Sequence, residues 1–434
     1  MENVRKKVYI ETLGCQMNKS DSERILAILE HFGYDEVDEP KEADFLIVNT
    51  CSIRELSEEK AYSRLGVWGK WKNGGKKHLK IAICGCLPQH TKEDLLKRFP
   101  YLDLVFGTQN IYELPELLKE EGRICAIRNY HVEEKDYGYK RKKAVNAWLP
   151  IIEGCNNFCS YCIVPFTRGR EKSRDFDTII KEAKEIVAQG FKEITLLGQN
   201  VDSYGKDLEG DYSLAKLLAE IDKIEGEFRI RFVTSYPTDI TDELIETVAN
   251  AKKIAPFFHI PMQSGNTEIL KKMNRRYTRE QYGAIVKKIR EKMPNAIVTS
   301  DFIVGFPSET FEQFEETLSA IDEFGINYSN LAIYSPRPHT KASKMVDDFI
   351  DKDECEKRFQ MLNDKVKETS LKNHKACVGQ IMNVLIDSAK EDTWQARTKC
   401  NKIVYFKDET ATIGDFRDVK ITSADTWHLK GEVF

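Results

Sequence analysis

The chain of 434 residues has no apolar run long enough to cross a membrane, which argues against an integral helical membrane protein. Its opening stretch, MENVRKKVYIETLGC, carries no apolar secretion core and passes straight into a strand-like pattern. A cytoplasmic location is therefore expected, and a disulfide framework is not. There is no surplus of positive charge either: 66 Lys and Arg against 70 Asp and Glu leave a net charge of −4. No global basic field draws in nucleic acid, so any such binding has to come from local patches. What the chain does hold is eleven cysteines. In a reducing compartment that number points to metal ligation or redox chemistry.

A further absence concerns three of them. Cys155, Cys159 and Cys162 stand in EGCNNFCSYCIVPFTRG with no His and no fourth Cys nearby. A structural zinc site needs four ligands, and an electron-carrier cluster normally closes its last position with a fourth Cys. Three thiolates on one short loop instead suit three irons of a [4Fe–4S] cube, leaving the fourth iron open to bind something.

The first ~130 residues alternate short apolar runs (KVYIETLG, DFLIVNTC, KIAICGC, LDLVFG) with amphipathic helical stretches. The expected fold is α/β, beginning with a parallel-sheet domain of Rossmann or flavodoxin type over residues 1–130. Cys15, Cys51 and Cys86 each fall just after a strand, where such sheets place their ligands. They form a second candidate trio, although strand-end cysteines alone are a weak signal. Cys84 competes with Cys86: strand alternation points both to the same side, so spacing does not choose between them. Cys125, Cys355, Cys377 and Cys400 read as small buried apolar residues.

Residues 131–146 are charged and read as a linker ending in the basic cluster Lys140 to Lys143. From 147 to 370, six strand-like runs with helices between them suit a partial (β/α)6 barrel with its chemistry at the C-terminal strand ends. Residues 371–434 alternate apolar and polar positions between turns, as in a small antiparallel β-barrel.

These three parts, in this order, resemble the radical S-adenosylmethionine (SAM) methylthiotransferase family. The supporting strings are TLGCQMN, VNTCSIRE, CGCLPQ, EGCNNFCSYCIVPFTRGREKSR, LLGQNVDSYG, HIPMQSGN, LKKMNRRYTREQY, SDFIVGFP and YSPRPHT. The resemblance implies a radical SAM barrel, a C-terminal TRAM domain and two [4Fe–4S] clusters. Cys155, Cys159 and Cys162 hold one cluster; Cys15, Cys51 and Cys86 hold the other, since the family's third Cys follows a Gly. It implies SAM both as methyl donor and as source of a 5′-deoxyadenosyl radical. GQNV after the second barrel strand is similar to the branch that methylthiolates carbon 2 of N6-isopentenyl-adenosine at position 37 of tRNA. Relatives acting on threonylcarbamoyl-adenosine-37 or on a ribosomal-protein Asp are the alternative, and a non-catalytic iron–sulfur RNA-binding protein is the alternative of another class.

Strand-end position together with the resemblance nominates Gln199, Asn200, Gln263, Ser264, Arg174 and Gly305 as SAM contacts. The expected partners are a tRNA anticodon stem-loop and a reductant of flavodoxin or ferredoxin type, with the sulfur source unidentified and the chain a monomer. His339 departs from the family, which usually carries Gly there. Three surfaces are candidates for RNA: residues 64–80 with Trp68 and Trp71 among cations, the Lys140 to Lys143 cluster, and Arg397, Lys399 and Lys402 in the C-terminal barrel.

Overall fold

The computed structural model describes residues 5–52, 55–132, 134–142 and 144–434. The chain divides into two compact units. One comprises Met1–Lys143, Glu153–Asn156 and Cys162–Lys172; the other comprises Ala144–Ile152, Asn157–Tyr161 and Ser173–Phe434.

The first unit is built from β1 (Lys6–Leu13), α1 (Gln16–His31), β2 (Tyr34–Glu36), β3 (Phe45–Thr50), α2 (Glu55–Asn73), β4 (Lys80–Gly85), α3 (Cys86–Thr91), α4 (Asp94–Arg98), β5 (Leu104–Phe106), α5 (Leu114–Leu117) and β6 (Ile124–Ala126). All six strands run parallel in the order β2-β1-β3-β4-β5-β6. β3 is buried at every position, as a parallel strand covered on both faces must be. Its side chains alternate between two cores. Phe45 and Ile47 pack with Ile25, Ile28 and Leu29 of α1, and Leu46 and Val48 pack with Leu65 and Trp68 of α2. The unit also takes in the short helix α6 (Val164–Thr167).

The second unit holds six parallel strands: β7 (Asn146–Pro150), followed after the short strands β8 (Ile152–Glu153) and β9 (Lys172–Ser173) by β10 (Glu193–Leu197), β11 (Arg229–Phe232), β12 (Phe257–His259), β13 (Ile297–Val304) and β14 (Tyr328–Ile333). They form two three-stranded sheets, β11-β10-β7 and β12-β13-β14, the partial barrel expected from the βα rhythm. Helices α7 (Phe176–Ala188), α8 (Leu214–Asp222), α9 (Asp242–Asn250), α10 (Thr267–Lys272), α11 (Arg279–Lys292) and α12 (Phe311–Glu323) follow the strands. Each helix begins at a side chain that accepts a backbone N–H: Asp175, Ser213, Thr241, Asn266, Thr278 and Thr310.

The long helix α13 (Lys352–Lys375) leads into a closed barrel of β15 (Ile381–Lys390), β16 (Thr393–Thr398), β17 (Ile403–Phe406), β18 (Phe416–Ala424) and β19 (Leu429–Val433). Four of its five strand pairings are antiparallel. The β17–β19 closure is parallel, a feature that alternation in the sequence does not reveal. Val384, Ile386, Ala396, Val404, Phe406, Val419 and Leu429 fill its interior.

Candidate functional site

In the first unit the cysteine trio follows from strand order. β2 is displaced to the sheet edge, so β1, β3 and β4 are immediate neighbours and their C-terminal ends lie side by side. Cys15 follows β1 and caps α1, Cys51 follows β3, and Cys86 opens α3 directly after β4. The Cys51 thiol shares hydrogen bonds with both Cys15 and Cys86. These bonds and the Arg168 charge hold the Cys15 thiol down at about 6 and that of Cys86 at about 7, while Cys51 between them is pushed up.

The neighbouring residues fix this arrangement. Asn18 accepts from the Cys15 backbone N–H at 3.2 Å and from its thiol at 3.3 Å. Asn18 in turn donates to Asn49 Oδ1 at 3.0 Å, and Asn49 donates back to the Asn18 carbonyl at 2.8 Å. Gly85 has φ +98°, and a Cβ there would meet the Thr50 carbonyl at 2.4 Å and Asn49 Oδ1 at 2.5 Å. Its left-handed backbone interrupts strand alternation. Cys84 therefore stays among Ile25, Ala82 and Phe106 in the core, while Cys86 turns toward Cys51.

A buried cation completes the group. Arg168 donates to Asp21 Oδ2 at 2.6 Å and to Glu153 Oε1 at 2.9 Å, and hydrogen-bonds Cys86. Thr108 and Gln109 donate to the Thr167 and Arg168 carbonyls, which positions it further. Among the described residues no group of three or more His, Cys, Asp or Glu is placed to hold a single metal ion. A cube asks for something else: each iron takes one thiolate, so the sulfurs need not converge on one point. The donor set here, three adjacent thiols of which Cys15 and Cys86 are held toward the thiolate, with a permanent cation beside them, suits such a cluster.

The second trio lies within eight residues of one loop. Cys155 N–H donates to the Gly169 carbonyl at 3.2 Å in the first unit. In the second unit, Arg275 donates to Cys159 Sγ at 3.4 Å and lies over the Tyr236 and Tyr277 rings. Each trio thus has one buried guanidinium on one of its sulfurs. Neither arginine is nominated by sequence reasoning; the only trace is their presence in PFTRG and MNRRYT.

Of the SAM candidates, Gln199 and Asn200 follow β10, Gln263 and Ser264 follow β12, and Gly305 follows β13, so all five share the C-terminal side of the strands. Asn200 is buried, donates to Asp239 Oδ2 at 2.7 Å, and its Oδ1 has no partner. Gln263 holds φ +75° while its backbone N–H donates to the Asp301 carbonyl. Ser264, Arg174 and Gly305 have local explanations. Ser264 is fully buried, and its hydroxyl accepts from the Asn266 N–H. Arg174 donates to Glu182 at 2.8 Å and to the Pro150 carbonyl. At Gly305 a Cβ would meet Cys355 Sγ at 2.4 Å, so close packing of α13 already requires glycine. Residues that sequence reasoning passed over stand on the same strand ends. Asp202 accepts from Ser235 and from Tyr236 N–H, and burial pushes its carboxyl up to about 7. His259 bonds Thr299 at 2.9 Å and Asp301 at 3.2 Å, and Asn330 donates to Asp301 at 2.9 Å. His259 and Asp301 lie inside the strings HIPMQSGN and SDFIVGFP.

The three RNA surfaces expected from sequence are largely occupied by other roles. Trp68 is a fully buried core residue, edge-on to Tyr9, so it offers no stacking face. Around it Arg64 pairs with Glu11 and Lys72 with Asp103. In the linker Lys140 pairs with Glu30 and Lys142 with Glu36, while Lys143 lies outside the described residues. In the C-terminal barrel Arg397 pairs with Asp387 and Lys399 donates to the Lys252 carbonyl. Burial lowers both Lys399 and Lys402. The cause is docking: Arg229 donates to the Arg397 and Asn383 carbonyls, and Arg231 to those of Thr398 and Lys399.

The fold and its thiol groups define a radical SAM enzyme, and comparison with known proteins agrees. The Radical SAM superfamily matches residues 149–321, the Uncharacterized protein family UPF0004 residues 7–107, and the TRAM domain residues 375–434. A radical S-adenosylmethionine methyltransferase from Kitasatospora setae, TsrM, shares the fold, with a TM-score of 0.58 at 14% identity over 78% of this chain and 77% of that one. Two tRNA-2-methylthio-N(6)-dimethylallyladenosine synthases are much closer in sequence. That of Thermotoga petrophila is 44% identical over 98% of this chain and 97% of the relative; that of Dictyoglomus thermophilum is 44% identical over 98% of each. The chain belongs to the tRNA-2-methylthio-N(6)-dimethylallyladenosine synthase family and is an enzyme.

Proposed function

We propose that this enzyme replaces the C2 hydrogen of N6-isopentenyl-adenosine-37 in tRNA by a methylthio group. Cys155, Cys159 and Cys162 would hold one [4Fe–4S] cluster, and Cys15, Cys51 and Cys86 the other. When bound, the clusters and SAM supply the radical and methyl-transfer chemistry that no protein acid or base provides for an unactivated aromatic C–H. The chain's residues bind and orient. Asn18, Asn49 and Gly85 hold three strand-end thiols together, and Arg168 and Arg275 place a fixed positive charge on one sulfur of each trio. Gln199, Asn200 and Gln263 offer polar groups toward SAM from the strand ends, and Asn200 Oδ1 is buried there without a partner.

The observation that carries this reading is the meeting of Cys15, Cys51 and Cys86 at adjacent strand ends, with Cys51 bonded to each of the others, although they are far apart in sequence and form no disulfide. A cytoplasmic monomer reduced by a flavodoxin- or ferredoxin-type protein completes the proposal; among the described residues no helix is long and apolar enough to cross a membrane. The test is mass spectrometry of tRNA nucleosides from a strain lacking the protein, with and without the gene restored. Loss and return of the 2-methylthio group on isopentenyl-adenosine is expected. Loss from threonylcarbamoyl-adenosine, or from a ribosomal-protein Asp, would move the substrate assignment. Absence of 5′-deoxyadenosine from SAM and a reductant would overturn the radical chemistry.

A further inference from the structure

With the three expected RNA surfaces largely spent on ion pairs and docking, five other cations in the second unit stand out. Lys271 and Lys272 end α10, Arg276 follows it, and Lys341 and Lys344 lie in the turn after β14; all five are exposed. Lys272 donates to the Ser308 hydroxyl at 2.6 Å, and among the described residues none of the five pairs with a carboxylate. The acids of the same segments, Glu268, Asp347 and Asp348, form no ion pair with these cations among the described residues, although the Asp348 carbonyl accepts from the backbone N–H of the Ser308 that Lys272 bonds. Both segments are tied to the same residue of the cysteine loop. Ser160 N–H donates to the Met273 carbonyl at 2.9 Å, and Ala342 N–H donates to the Ser160 carbonyl at 2.8 Å. The Ser160 hydroxyl donates to the Lys272 carbonyl, and Asn274 to that of Phe158. Beneath them Ile269, Met273, Phe306 and Ala342 form one buried apolar cluster, so the cations are carried on a fixed base.

Resting on the function proposed above, we infer that this rim is the anchor for the tRNA phosphate backbone, holding the strand flanking the reactive adenosine beside the loop of Cys159. Cations that have no carboxylate partner of their own neutralise backbone phosphates and release the counterions condensed on the RNA. The rim also sits at the C-terminal ends of β12 and β14, the side of a barrel on which chemistry occurs. An acidic electron-donor protein is the competing occupant. The RNA is favoured because the cations are spaced along two segments that bracket the loop, as a backbone requires.

The test is the salt dependence of anticodon stem-loop binding by the full-length, cluster-loaded protein. The variant Lys271→Ala/Lys272→Ala/Arg276→Ala/Lys341→Ala/Lys344→Ala is expected to bind at least tenfold more weakly. A plot of its log affinity against log salt should be shallower by about 0.7–0.9 for each phosphate no longer neutralised. The part variants Lys271→Ala/Lys272→Ala and Lys341→Ala/Lys344→Ala should each show a share of that change, and they carry the test if the fivefold variant folds poorly by circular dichroism or iron content. Replacing the ion-paired Lys72 or Lys140, or the outer-helix Lys184 and Lys287, should leave the slope unchanged. If the wild-type protein binds no tRNA, the functional reading itself fails. If it binds and the rim variants keep its affinity and slope, the rim assignment is overturned and the function stands. RNA binding that is intact alongside slowed reduction by flavodoxin would assign the rim to the electron donor and equally overturn it.

Discussion

Replacing Arg168 by Met tests whether the N-terminal thiol group depends on its buried cation. The guanidinium and the Asp21 carboxylate are 3% and 2% exposed in their side chains, so solvent screens little of their attraction. Methionine fills most of the volume but leaves the Asp21 carboxylate in the interior without its partner. Breaking one side of such a pair costs about 3–5 kcal/mol, equivalent to roughly 6–20 °C in Tm for a domain of this size. The Glu153 bond adds less, because that carboxylate is 17% exposed and recovers water. Asp21→Asn alone should cost less than Arg168→Met, since the cation keeps Glu153 and the Cys86 sulfur. The double variant should then recover part of the loss, giving a coupling of about 1–3 kcal/mol. Hydrogen exchange of the β3 and β4 amides reads the stability of this unit separately from the rest of the chain. A loss below about 1 kcal/mol, or strictly additive single effects, would refute the view that Arg168 is held here as a charge; equal iron content in all variants would show that the cluster does not need it.

Three other outcomes are expected. Changing Cys155, Cys159 and Cys162 to Ala should leave about half the iron; Cys84→Ala should retain both clusters and Cys86→Ala only the barrel cluster, and equal loss from Cys84→Ala and Cys86→Ala would unseat the ligand assignment. Asp202 has a folded-state value of about 7 against an ordinary 3.8, so the fold keeps a proton that the unfolded chain releases. Its contribution therefore worsens as pH rises from about 4 through 7, by up to about 4 kcal/mol; Asp202→Asn should remove that slope in urea titrations at pH 4.5 and 8, and a pH-independent difference from wild type would contradict it. Arg229→Leu removes the donor to the Arg397 and Asn383 carbonyls and should cost about 1–3 kcal/mol, seen as faster proteolysis of β15–β19; unchanged protection would mean that the docking contributes little.

What the sequence determined by itself is what short range controls. Cys155, Cys159 and Cys162 lie within one loop, so their spacing points to a cluster site without a fold. The apolar runs of β3, β4 and β10 are likewise local, and with the βα rhythm they placed the parallel sheets correctly. The tertiary structure decided everything that depends on which strand ends or charges meet. Cys15, Cys51 and Cys86 come together because β2 moves to the edge and leaves β1, β3 and β4 adjacent. Cys84 and Cys86 part company because Gly85 adopts a left-handed backbone, which alternation does not encode. Arg168, 147 residues from its partner Asp21, has no sequence signature as a buried cation. The same holds for the basic segments: Lys72, Lys140 and Lys399 look as available in sequence as Lys271 and Lys341 do. Whether a lysine meets a distant carboxylate or carbonyl, or is left facing solvent, is settled only when the chain folds, because electrostatic pairing acts on distance in space and not along the chain.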